Sequence, residues 1–251
     1  DGNGPRAISS AGACLFAANY FSDNLSIIYL DDLSVKTVPL GEADLPDERL
    51  GEMYFHDASL CFQNWQSCAS CHPDARVDGL NWDLLNDGIG NPKNTKSLLL
   101  SHQTPPAMSL GVRPQAKSAV RAGFLHIQFA DVPEEYSVQV DSYLKGLQPV
   151  RSPHRISEKE REKGKALFMS LNCQECHPAP LYTDLQSYPL GGDKNLLWDT
   201  PTLVELWRTG PYWHDGRYAT LGELLVKEKH GIPDKLTEDD LRALEVYLLS
   251  L

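Results

Sequence analysis

Along residues 1–41 the chain alternates short apolar runs with polar turn clusters. The runs are Ala7-Ile8-Ser9, Cys14-Leu15-Phe16-Ala17-Ala18-Asn19, Leu25-Ser26-Ile27-Ile28-Tyr29-Leu30 and Val35-Lys36-Thr37-Val38-Pro39-Leu40. Ser10-Ala11-Gly12, Ser22-Asp23-Asn24 and Asp31-Asp32 separate them. Two-residue alternation broken by Gly, Ser and Asx clusters predicts strands joined by tight turns, here a four-stranded antiparallel meander. From Asp47 the period becomes helical: Leu50, Tyr54 and Phe55 share one side of a helix over 48–55. Gly51-x-x-x-Phe55 returns as Gly164-x-x-x-Phe168, and Tyr143-Leu144-Lys145-Gly146-Leu147 returns as Tyr247-Leu248-Leu249-Ser250-Leu251.

Each repeated helix is followed by one copy of the same short pattern, Cys68-Ala69-Ser70-Cys71-His72 and then Cys173-Gln174-Glu175-Cys176-His177. The second cysteines stand 105 residues apart and the closing tyrosines 104, so the chain is an internal duplication. The join falls in Leu147-Gln148-Pro149-Val150-Arg151-Ser152-Pro153, where the prolines prevent a helix from running through. Ser157-x-x-Glu160 reads as a capping box and Thr237-x-x-Asp240 as a weaker acidic helix start. Between motif and closing helix each unit carries a long stretch rich in Gly and Pro, including residues 86–92 in the first; such loops are usually functional, and here they are expected to wrap the cofactor edges.

Two thiols separated by two residues, with His next in line, are what covalent attachment of haem c requires: the thiols add to the vinyl groups and the histidine ligates the iron. A redox dithiol or half a zinc site uses C-x-x-C as well, but neither needs the following His. The expectation is two haems, with His72 and His177 as proximal ligands, and redox chemistry as the default function. Cys14 and Cys61 are left over, as a disulfide or as two buried free thiols.

The net charge of −11 argues against nucleic acid or an anionic membrane surface as partner, and favours a locally basic redox protein. No apolar run is long enough to span a bilayer and no leader precedes Asp1, so the chain reads as a mature, processed or truncated one. Haem attachment through cysteine places it in the periplasm or at the cell surface. Its length suits two domains. A Gly-x-x-x-Phe helix, a Cys-x-x-Cys-His segment, a long loop and a closing Tyr-Leu helix resemble the class I cytochrome c fold, so the expected fold class is mainly α, two tandem class I cytochrome c-like domains over 47–150 and 151–251 behind the β-meander of 1–41.

Two resemblances add to this reading. Gly12, Leu15, Ala18-Asn19, Asp23-Asn24 and Ile28-Tyr29-Leu30 resemble one blade of a YVTN-type β-propeller, present here as a single copy. A lone blade cannot bury both faces, so it packs on the haem domains, on another chain, or is the stump of a longer protein; the bland alternative is an incidental hairpin. Residues 47 to 251, with Asp199-Thr200-Pro201-Thr202-Leu203 and Pro211-Tyr212-Trp213-His214-Asp215-Gly216-Arg217, are similar to the bacterial di-haem cytochrome c peroxidases and MauG enzymes.

That resemblance implies that the first haem reacts with peroxide and that the second relays electrons. Hydrogen peroxide, a small cytochrome or cupredoxin or a protein substrate, and a homodimer are the implied partners. It also implies a calcium ion held by Asn94 and the carbonyls of Thr209 and Pro211, an oxygen-only set that suits a hard cation. A capped loop without an ion is the other reading. For the second haem the family's distal Met or Tyr position is Glu228, with His230 just beyond. His230 is the expected distal ligand, against a surface histidine at a helix end.

At the first haem the family's Trp-Asp-Gly-Arg becomes Leu110-Gly111-Val112-Arg113, so the bridging indole is missing unless Trp82, Trp198 or Trp213 replaces it in space. Gln-Ala-Gly-Pro becomes Arg121-Ala122-Gly123-Phe124, and the distal acid falls near Asp131, with Glu134 and Glu135 close by. The catalytic candidates are therefore Asp131 as acid-base, and Arg113 and Arg121 as holders of propionates or of oxygen at the iron. Asp131 could equally belong to an acidic helix start. His102 or Met108 could close the sixth position. The altered positions keep a second function class open, a non-catalytic di-haem electron-transfer module of a propeller-containing protein. A third is a binding protein with vestigial haems.

Overall fold

A computed structural model describes residues 2–41, 45–84, 90, 92–190, 195–233 and 236–251. Most of the Gly-rich stretch 86–92 lies outside them. The N-terminal residues form the expected antiparallel sheet, in the order β1 (Pro5–Ala11), β2 (Cys14–Asn19), β3 (Asn24–Tyr29), β4 (Val35–Pro39). The register puts Leu15 opposite Ile28 and Ile28 opposite Val35 on one face, and Phe16 opposite Ile27 on the other. Both faces are therefore apolar, and neither contributes to the two apolar clusters of the helical part. The sheet is held to the first helix by charge instead: Arg6 pairs with Glu52 at 2.5 Å, and Arg49 pairs with Asp23 at 2.5 Å with its guanidinium over the Tyr20 ring.

Seven α-helices follow among the described residues: α1 (Asp47–His56), α2 (Cys68–Cys71), α3 (Ala116–Ala122), α4 (Glu134–Gly146), α5 (Glu158–Ser170), α6 (Leu221–Glu228) and α7 (Glu238–Leu248). Helix α1 crosses α4 and α5 crosses α7, and the repeated glycines sit at the two crossings. A Cβ on Gly51 would lie 1.8 Å from the Gln139 carbonyl oxygen, and one on Gly164 1.9 Å from that of Ala243. Only a residue without a side chain lets the backbones approach this closely. One turn on, Phe55 and Phe168 are buried, each with its ring centre 5.3 Å from the closing tyrosine, Tyr143 and Tyr247 respectively.

Two short ladders, β5 (Asn81–Trp82) with β6 (Lys93–Asn94) and β7 (Ser187–Tyr188) with β8 (Trp198–Asp199), lie in the loops among short 3-10 turns. The repeat extends into loops where the residues differ. Ala107 bridges Arg113 and Tyr212 bridges Tyr218, again 105 residues apart, and Met108 and Trp213 share a left-handed backbone. Helices α3 and α6 also begin at the same offset.

The caps come out reversed from expectation. Ser157 precedes α5 but makes no side-chain cap, whereas Thr237 and Asp240 exchange both bonds of a capping box. Cys14 and Cys61 are free thiols, Cys14 half-buried in β2 and Cys61 buried, so the disulfide alternative is set aside.

Candidate functional site

Both Cys-x-x-Cys-His segments line one continuous cavity of about 830 Å³, large for a small-molecule site and walled mainly by aliphatic and aromatic side chains. Ser67 N–H donates to Ser70 Oγ at 3.0 Å, which starts α2 at Cys68 and turns the first thiols toward the cavity. His72 Nδ1 donates to the Arg76 carbonyl at 3.1 Å and His177 Nδ1 to the Tyr182 carbonyl at 2.9 Å. Each ring is thus fixed in one tautomer, with Nε2 left as the basic nitrogen, the usual arrangement behind a metal-ligating histidine. Burial pushes both imidazoles below the ordinary histidine range, which keeps them neutral and competent as ligands.

Burial also raises the thiols of Cys71 and Cys173, and pushes Cys68 up to about 12. Thiolates for zinc or for a dithiol couple are disfavoured in such a wall, whereas an uncharged thioether suits it. The cavity fits a planar macrocycle with acidic edges in a second respect. Trp198 Nε1, Trp213 Nε1 and His214 Nε2 line it, buried and without a partner. Unpaired buried donors are costly, so they mark places where acceptors are expected.

His230, just past the end of α6, faces His177 across the second part of the cavity, ring centre to ring centre 6.5 Å and 73° between planes. Two imidazoles bound on opposite sides of one metal at about 2 Å per bond have centres on the order of 6 Å apart. Burial lowers the His230 pKa as well. From His230 an aromatic series leads back to the first repeat: Trp213 at 5.7 Å, His214 at 5.7 Å from Trp213, and Trp198 stacked on His214 at 3.8 Å. Next to Trp198, Asp199 accepts from Lys96 Nζ at 2.6 Å, and the backbone of Lys96 abuts His72. Trp198 and Trp213 thus occupy the ground between the two motifs, and Trp82 lines the cavity from a partly exposed position.

The first repeat is different. His102 lies 3.3 Å from Asp141, outside the cavity wall, while Met108 is part of the wall. Arg121 is spent on protein carboxylates: Glu134 at 2.5 Å and, more closely, Asp141. Asp131 is exposed in the turn before α4 and does not reach the cavity, and Glu134 and Glu135 form the acidic first turn of that helix. Of the three catalytic candidates, only Arg113 is half-buried without an ion-pair partner among the described residues.

Gln128, for which the sequence carries no signal, is 2% exposed; it donates to Cys68 Sγ at 3.3 Å and leaves Oε1 unpaired at the cavity. Asn94 and Pro211 are brought together, the amide donating to the Pro211 carbonyl while Asn94 Oδ1 is buried and unpaired; Thr209 lines the cavity nearby.

No family model matches the chain. The hydrazine synthase subunit gamma of Kuenenia stuttgartiensis is 26% identical over 81% of this chain and 77% of that protein. A chain of the hydrazine synthase structure from the same organism superposes with a TM-score of 0.72 at 24% identity, covering 82% of this chain and 87% of that one. A MauG-like protein associated with microbial copper homeostasis gives 0.65 at 17% identity over 84% and 91% of the two chains. The diheme peroxidase BthA of Burkholderia thailandensis, as its Y463M variant, gives 0.60 at 14% identity over 80% and 84%. The chain therefore has the fold of these MauG-like and diheme peroxidase proteins.

Proposed function

We propose that the chain is an exported di-haem c-type oxidoreductase in which a haem at His72 takes a small oxidant or substrate and a haem at His177 relays electrons. The observation that carries this reading is the contrast between the two ends of the cavity. His177 is opposed by His230 at a separation that suits one metal between them, while of the first repeat's two candidates His102 is drawn aside to Asp141 and Met108 stays in the wall. A bis-His site is closed and low-spin; a site with one histidine keeps a position for a ligand. When bound, the haems supply the electron transfer that no side chain of the wall provides.

The protein's part is orientation, exclusion of water and placement of a few polar groups. Gln128 Oε1 is available to accept from a ligand O–H or N–H, and the indole N–H groups of Trp198 and Trp213 to donate to haem carboxylates, with Arg113 in reserve. With the Asn94 amide turned over, Oδ1 and the Pro211 carbonyl would offer oxygen to one point, which supports a calcium ion there. The helices include none long and apolar enough to cross a membrane among the described residues.

The series Trp198, His214, Trp213 supplies the connection that the missing indole at Leu110 removes. Trp198→Phe is expected to slow electron transfer between the haems about tenfold, about 1.4 kcal/mol of barrier, with both haem spectra unchanged. Flash photolysis of the half-reduced carbon monoxide complex checks it; an unaltered rate would remove Trp198 from the path.

Low-temperature EPR of the oxidised protein, followed by titration with hydrogen peroxide, tests the whole reading. One high-spin signal consumed by peroxide beside one low-spin signal that persists is the expected result. Two low-spin signals indifferent to peroxide, also after one-electron reduction, would leave a pure electron-transfer module. The higher identity to a hydrazine synthase subunit favours a second reading, a subunit of a larger assembly acting on small nitrogen compounds. Consumption of the high-spin signal by hydrazine or hydroxylamine but not by peroxide would select it. The sheet with two apolar faces is then the surface on which other subunits dock.

A further inference from the structure

Behind the cavity wall, between the two repeats, lies a buried ion pair that the site as described does not use. Arg76 is 4% exposed and Glu205 0%. Arg76 Nε donates to Glu205 Oε2 at 2.7 Å and Nη2 to Oε1 at 3.0 Å. Two more guanidinium protons go to the carbonyls of Asp74 at 3.0 Å and Gln148 at 3.2 Å, and Val150 N–H donates to Glu205 Oε1 at 2.5 Å. The pair thus ties together the loop after the first motif, the join between the repeats and the second repeat. Burial pushes the Glu205 carboxyl up, but the Arg76 and Val150 bonds outweigh it and hold the pKa below the ordinary value. Both groups are charged.

The duplication provides an internal control. At the 105-residue offset Glu205 corresponds to Leu100 and Arg76 to Leu181. Leu100 has φ 60° and Glu205 φ 59°, so the same left-handed turn is built with an apolar residue in the other repeat. The fold does not require the charges, and a buried ion pair is in general no more stabilising than apolar residues of similar size. What distinguishes Arg76 is its own carbonyl, which receives the His72 Nδ1 proton. Its neighbour Val77 lines the cavity from one side, and Val204 and Leu206, on either side of Glu205, line it from the other.

We infer that Arg76 and Glu205 are positioning residues for the first site: the pair clamps the carbonyl that orients His72 and sets the reduction poise of the iron His72 would hold. The inference rests on the haem reading proposed above. Neutralising Glu205 leaves Arg76, and Arg208 whose Nη1 lies 3.8 Å from Glu205 Oε2, without their shared counter-charge in a low-dielectric wall, which favours the reduced, less positive iron and raises its potential. The second haem, whose histidine is oriented by the Tyr182 carbonyl, is expected to move less.

The test is spectroelectrochemistry of the holoprotein and of Glu205→Gln, following the high-spin and low-spin bands separately, after haem has been counted per chain. An upward shift of the first potential that exceeds any shift of the second is expected. With two haems present, an unmoved first potential or equal shifts of both would overturn the inference and leave the haem reading intact; absence of haem would overturn that reading instead. Should Glu205→Gln fail to mature, the double variant Arg76→Leu with Glu205→Leu copies the other repeat and keeps net charge. Its Fe–His stretching band in resonance Raman, which the reduced His72 site alone would give, is expected to shift. An unchanged band would overturn the inference.

Discussion

Replacing Gly164 by alanine is expected to destabilise the second repeat by at least about 2 kcal/mol, in spite of the substitution favouring a helix. Alanine gains up to about 1 kcal/mol of propensity over glycine in a helix interior. Against this, the added Cβ would stand 1.9 Å from the Ala243 carbonyl oxygen and 2.7 Å from Tyr247 Cβ, and the first of these atoms is backbone that cannot rotate away. Helices α5 and α7 must therefore separate, which loosens Phe168 against Tyr247 and the buried cluster around Leu244. Overpacking in a well-filled core costs about 1–3 kcal/mol and more where no side chain can yield. Urea denaturation followed by circular dichroism checks it. For a unit of this size a fall in Tm on the order of 10 °C accompanies such a loss. A variant as stable as the parent would mean that the crossing has slack, and the same would then hold for Gly51 against Gln139.

The second large effect concerns His230. On the reading proposed above, His230→Ala is expected to replace the low-spin signal of a haem at His177 by a high-spin one, and to raise carbon monoxide binding to the reduced protein from one haem per chain to two. The reason is positional: His230 lies across the cavity from His177, and Glu228, the other candidate nearby, accepts a hydrogen bond from Tyr218 at 2.5 Å. Added imidazole should restore the low-spin spectrum. A persistent low-spin signal would mean that some other residue holds the distal position.

The relation between the site and the N-terminal sheet bears on both readings of function. Arg6 and Arg49 bind Glu52 and Asp23 on one side of the sheet, while Ile8, Val35 and Leu40 remain 69%, 53% and 67% exposed. By the register Ile8 and Val35 share one face of the sheet, and Leu40 stands just past the end of β4; this exposure supports the docking surface proposed above.

Much of the site was legible in the sequence because its parts are contiguous. The cysteines and histidine of each motif, the glycine and phenylalanine one turn apart, and the alternating strands are each specified within a few residues, where local geometry decides the outcome. His230 could be nominated because it follows α6 by two residues. The readings that went astray depended on direction, which spacing does not fix. Arg121 lies on a helix beside the cavity, yet Asp141 and Glu134 on the neighbouring α4 turn it aside; Asp131 is in the loop before that helix but faces solvent.

Other features had no sequence signal because they join distant residues. Arg76 and Glu205 are 129 positions apart, Trp198 reaches the first motif only through Asp199 and Lys96, and Gln128 enters the cavity from beyond the end of α3. By itself, then, the sequence determined the two Cys-x-x-Cys-His segments, the duplicated helical crossings and the N-terminal sheet, all set by short-range chemistry. Only the tertiary structure decided which polar groups face the cavity and which charges are buried between the repeats, because packing of the two halves selects among side-chain directions that local preferences leave equal.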